Sequence, residues 1–151
     1  MPKARDYIFV LWGDQFEEIT AVIFITKLRE AGLRVKVVGL TSRKICGAHG
    51  LALVPDLTLD QALSLAARTI CLIVPYPSHS LKHLTNDPRL CEFFDQAQAN
   101  GAKFVIGSLN GTNITDLELL PNPDRIIVYP DDEALVEFAG KLVGLLSTEG
   151  S

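Results

Sequence analysis

Residues 104–112 read FVIGSLNGT. Three apolar residues run into a glycine and then Ser108, so one hydroxyl falls where a buried strand meets a tight turn. That is a nucleophile's address in an α/β protein, with the N–H groups of Leu109 and Asn110 placed to receive an oxyanion. A serine hydroxyl stays weak until a base takes its proton. The spacing G-S-L-N-G also departs from the G-x-S-x-G elbow. From local sequence, a turn serine bonded to its own backbone is the stronger reading.

The candidate bases are His49, His79 and His83. His49 lies in a His-Gly pair, an exposed turn position. His79 and His83 are four apart and would share a helix face, but no acidic or thiol ligand completes a metal set near them. No metal and no cofactor are therefore expected. His79 follows a strand that neighbours the Ser108 strand in a doubly wound sheet, which makes it the base to pair with Ser108. Glu17 and Glu18 open a helix, where they either complement its dipole or face a crevice. Pro75-Tyr76-Pro77 follows another buried strand. Its prolines remove the donors an oxyanion loop needs, and Tyr76 is left as an aromatic wall.

Apolar runs alternate with helical patterns. Strands are expected over Tyr7–Trp12, Leu33–Leu40, Thr69–Val74, Lys103–Ile106 and Arg125–Tyr129, with a small hairpin over 44–54 turning at His49-Gly50. Helices are expected over Glu17–Glu30, Leu59–Ala66, Asp87–Asn100 and Asp131–Leu146, with Gly32 and Gly101 as stops and a frayed STEGS end. Continuous apolar strands between helices give a three-layer α/β domain over 1–151, with a doubly wound, mostly parallel sheet covered on both faces. Function then belongs at the carboxyl ends of the strands. That places a ligand crevice at Asp14, Glu17, Tyr76, Pro77, Ser108, Leu109 and Asn110.

Composition narrows the partners. The 151 residues are 48% hydrophobic, and the 14 basic and 18 acidic residues give a net charge of -4. Mean hydropathy is +0.23, so a real core is expected. Charges of both signs are scattered without a basic stripe, which argues against nucleic acid. No run reaches the length of a membrane span. Cys46, Cys71 and Cys91 are odd in number and share no metal-like spacing, which suits a reduced, cytoplasmic setting.

GDQFEEITAV (13–22), LREAGLRVKVVGL (28–40), AHGLALVPDLTLDQA (48–62), CLIVP (71–75) and GAKFVIGSLNGT (101–112) together resemble the ThiJ/PfpI superfamily, relatives of the class I glutamine amidotransferases. The resemblance implies a flavodoxin-like fold and homodimers. It also implies a glyoxalase, deglycase or redox-sensor chemistry run by a low-pKa cysteine. The matching positions depart from that machinery: Ser108 replaces the cysteine, and Thr20 replaces the third glutamate of E-E-x-E. Tyr76-Pro77 replaces a glycine-rich oxyanion loop, and 113–124 holds no histidine. A thiolate is nucleophilic at neutral pH in a way a serine is not. The expectation is a short, non-catalytic member that binds a partner protein or small ligand in a regulatory or scaffold role, as a homodimer or as a subunit of a larger complex. The alternative is a serine-dependent hydrolase or acyl transferase using Ser108 and His79.

Overall fold

The computed structural model describes residues 6–13, 16–40, 46–75, 87–107, 125–130 and 132–149. In chain order these form β1 (Tyr7–Trp12), α1 (Glu18–Glu30), β2 (Val35–Gly39), β3 (Leu57–Thr58), α2 (Leu59–Leu63), a 3-10 turn at Ala66–Arg68, and β4 (Thr69–Val74). Then follow α3 (Pro88–Ala99), β5 (Lys103–Ile106), β6 (Ile126–Val128) and α4 (Asp132–Glu149). The strands make one sheet in the order β3-β2-β1-β4-β5-β6, and every pairing in it is parallel. Without the two-residue edge strand β3, the order is that of a flavodoxin-like fold.

The central strands are buried because a parallel sheet is covered on both sides. Ile8 to Trp12 and Cys71 to Val74 are all buried, which explains their unbroken apolar sequences. Val10 lies opposite both Val37 of β2 and Ile73 of β4. On one face α1 packs against α4, with Phe24 meeting Phe138 and Tyr129 edge-on at 6.1 and 5.8 Å between centroids. On the other, α3 sends Phe93 against Phe9 and Phe94 against Phe104, each at 5.4 Å. Phe93 and Phe94 are thus core residues, not an interface.

Local chemistry fixes the element ends. A capping box starts α2: Thr58 Oγ1 accepts from the Gln61 N–H at 3.2 Å, and Gln61 Oε1 accepts from the Thr58 N–H at 2.9 Å. Asp87 caps α3 by accepting from the Arg89 N–H, with Pro88 in the first turn. Gly32 ends α1 at φ +82°, where a Cβ would be strained.

Several boundaries differ from expectation. β2 begins at Val35, two residues late, and β6 keeps only three residues at the sheet edge. The hairpin over 44–54 reduces to one antiparallel bridge, Cys46 to Ala52, around a turn. Helix α2 stops at Leu63 and gives way to the 3-10 turn. Helix α4 continues to Glu149, so residues 147–149 are helical rather than frayed.

Phe93 is fully buried, so Phe93→Ala is expected to cost about 3–5 kcal/mol by chemical denaturation. Val136→Ala, at a position 46% exposed on α4, is expected to stay within about 0.5 kcal/mol of wild type.

Candidate functional site

The carboxyl edge of the sheet is joined by a run of hydrogen bonds that starts at the first turn of α1. The Glu17 N–H donates to Pro75 O at 2.7 Å, tying α1 to the end of β4. The Tyr129 hydroxyl donates to Glu17 Oε1 at 2.7 Å, tying α1 to the end of β6. The Tyr129 N–H donates to Ile106 O at 2.8 Å, which closes the run at the end of β5. Tyr129 is itself buried. Glu17 therefore faces the carboxyl edge of the sheet, and its carboxylate is held by a phenol.

Thr20 lies one helical turn after Glu17 on the same face and is buried, with 5% of its surface exposed. Glu17 and Thr20 thus lie one turn apart at the start of α1, beside the carboxyl edge of the sheet. Asp14, Tyr76, Pro77, His79, Ser108, Leu109 and Asn110 lie outside the described residues, as does His83.

Glu18 points elsewhere. Consecutive side chains on a helix are about 100° apart, and Glu18 turns from the crevice toward the 47–51 turn. Its Oε2 accepts from the N–H groups of His49 at 2.7 Å and Leu51 at 3.0 Å. Its Oε1 lies 3.1 Å from His49 Nδ1. The turn also bonds to the backbone before α1, since the Ala48 N–H donates to Phe16 O at 2.9 Å. Gly47 is required here: a Cβ would sit 2.6 Å from Glu18 Cγ and Cδ and 2.8 Å from Phe16 O. Burial by itself would raise the Glu18 carboxyl. The donors at Leu51, at its own N–H and at the His49 ring and N–H outweigh it, holding the group at about 2 instead of the ordinary 4.5. The His49 ring is 87% exposed.

Sequence reasoning missed two partnerships, Tyr129 with Glu17 and His49 with Glu18. They join residues 112 and 31 positions apart, and neither helical nor strand periodicity links such pairs. The one available hint was a polar ring or hydroxyl at a strand end or turn tip with a carboxylate at a helix start. Among the described residues, no group of three or more His, Cys, Asp or Glu is placed to hold a metal ion. No described helix is long and apolar enough to cross a membrane.

The model of the DJ-1/PfpI family matches residues 6–106, more than half of the chain and everything from β1 to the end of β5. The chain belongs to the DJ-1/PfpI family. Solved structures with the same architecture include Toxoplasma gondii DJ-1 in its oxidized form, at 17% identity and TM-score 0.71, covering 96% of this chain and 93% of that one. Drosophila melanogaster DJ-1beta matches at 16% identity and TM-score 0.74, over 94% of this chain and 90% of that one. A ThiJ/PfpI domain protein from Brachyspira murdochii matches at 14% identity and TM-score 0.68, over 95% and 96%. At these identities the likeness is one of fold. No curated protein matches the sequence. Within the DJ-1/PfpI fold, the bonds around Glu17 and Glu18 set the geometry of the crevice edge and of its rim.

The Glu18 carboxyl is lowered on folding, so its contribution is complete above its unfolded value near 4.5 and is lost as pH falls from there toward 2. Glu18→Gln is expected to lower Tm by roughly 5 °C or more at pH 7. The gap between variant and wild type should narrow as pH falls below 4.5, as thermal melts across pH will show.

Proposed function

We propose that this member of the DJ-1/PfpI family works by binding, without the thiolate chemistry that its resemblance to ThiJ/PfpI proteins implies. The observation that carries the reading is how the start of α1 uses its polar residues. Glu17 is tied to the Tyr129 hydroxyl, Glu18 is tied to the 47–51 turn, and the buried position one turn in, which the family pattern gives to a carboxylate, is Thr20. A threonine hydroxyl cannot serve as an anionic base at neutral pH. Together with Ser108 in place of the cysteine, this leaves a crevice edge of hydroxyl, phenol and tied carboxylate. Such a surface can hold a small polar ligand or a peptide loop in a regulatory or scaffold role.

The test is intact mass after exposure of the folded protein to a fluorophosphonate, with Ser108→Ala as control. No Ser108-dependent adduct is expected. An adduct that disappears in Ser108→Ala would instead support the serine hydrolase or acyl transferase reading.

The same reading includes a homodimer. Ile19 (63% exposed) and Val22 (41%) lie one turn apart on the outer side of α1. Clustered exposed apolar side chains of this kind mark an association surface, and a second copy would present the same patch to itself. Ile19→Asp with Val22→Asp is expected to convert a dimer to a monomer in light scattering. An unchanged mass would exclude this face.

A further inference from the structure

We propose that Glu18 and His49 form a carboxylate-oriented imidazole whose outward Nε2 is a nucleophile toward small activated acyl compounds at the surface of the 47–51 turn. The dyad is built, not incidental. The Glu18 carboxylate is buried with 6% of its surface exposed. Its Oε2 is pinned by the N–H groups of His49 and Leu51, and Gly47 leaves no room for a Cβ against it. Its remaining oxygen meets His49 Nδ1 at 3.1 Å.

An ionised carboxylate can only accept a hydrogen bond. The neutral ring must therefore carry its proton on Nδ1, which leaves the Nε2 lone pair bare. The two nitrogens lie on opposite sides of the ring, so the Nε2 edge turns away from the buried carboxylate toward solvent, in keeping with a side chain that is 87% exposed. The same arrangement fixes the tautomer in serine hydrolases and behind metal-bound histidines. Here the imidazole itself is the reactive group, with the exposed Nε2 as the attacking atom. Glu18 also stabilises the positive charge that builds on the ring as Nε2 forms a new bond, an effect that solvent screens at an exposed site.

The step balances with water as the only co-reactant. The Nε2 lone pair adds to an ester carbonyl carbon, and the tetrahedral oxyanion reforms the carbonyl and expels the phenolate. The acyl-imidazolium keeps its Nδ1 proton opposite the Glu18 carboxylate. Water then attacks the acyl carbon, and the ring leaves as the Nδ1–H tautomer it was at the start. Of the water's two protons, one stays with the carboxylic acid and the other balances the phenolate. This chemistry involves neither Ser108 nor Thr20. Its failure leaves the binding reading standing, and a Ser108 fluorophosphonate adduct has no bearing on it.

The experiment follows hydrolysis of p-nitrophenyl acetate by the full chain at neutral pH. N-acetylhistidine at equal imidazole concentration is the reference, and His49→Gln is the variant. The rate per chain is expected to exceed the reference by about tenfold and to fall to the level of the remaining side chains in His49→Gln. Peptide mapping at short times should find acetyl on the peptide that contains His49. Since Glu18→Gln also loosens the turn, a second measurement uses wild type: long-range 1H–15N spectra should show His49 protonated at Nδ1 and bare at Nε2. A rate no higher than N-acetylhistidine, a rate unchanged in His49→Gln, or an Nε2–H tautomer would each overturn the proposal.

Discussion

A parallel sheet cannot leave either face to water, and the rest of this molecule follows from that constraint. β1 and β4 are neighbours at its centre, and the chain leaves them in opposite directions across the sheet, toward β2 and toward β5. Right-handed crossovers then put α1 and α3 on opposite faces. In parallel sheets of this order the switch point between such strands is where ligands bind. The start of α1 stands at this switch point, and the backbone bond from Glu17 to Pro75 joins it to the end of β4.

Two adjacent glutamates at a helix start could simply have complemented its dipole. In this fold each also reaches a different layer. Glu17 meets a phenol that arrives at the end of β6, and Tyr129 stacks edge-on against Phe24 of the same helix. The edge strand β6, only three residues long, is thereby fastened through its terminal residue as well as its pairing to β5. Glu18 organises a turn that has one backbone bridge of its own. Three donors converge on one anion, so the turn takes its shape from the helix. Charged hydrogen bonds of this kind are about twice as strong as neutral ones, which is why a segment with so little strand pairing has a defined place.

The fold was legible where burial is complete. Tyr7–Trp12, Thr69–Val74 and Lys103–Ile106 are continuous apolar runs because both faces are covered, and the sequence reading placed their ends correctly. It failed at the margins. β3 has two residues and little apolar signal. β2 loses Leu33 and Arg34 because the chain is still leaving the Gly32 turn there. α4 extends past Leu146 because Ser, Thr and Glu continue a helix whose apolar face has already ended. At the site, Glu17 could be singled out from its place at a helix start, and Thr20 only through the family resemblance. Their partners could not, because a hydrogen bond across the fold leaves no periodic trace in sequence.

These bonds also separate what holds the fold from what performs chemistry. Glu17 and Glu18 carry the contacts that join α1 to the sheet edge and to the turn. Thr20, one turn further in, is a buried position of modest size, flanked by residues that already secure the helix. A change between carboxylate and hydroxyl at that position alters what the crevice can do to a proton. It removes none of the bonds that hold Pro75, Tyr129, His49 and Leu51 in place. The architecture of the family therefore does not depend on which residue stands at Thr20, because Glu17 and Glu18 in the same two helical turns make the bonds that hold α1 in place.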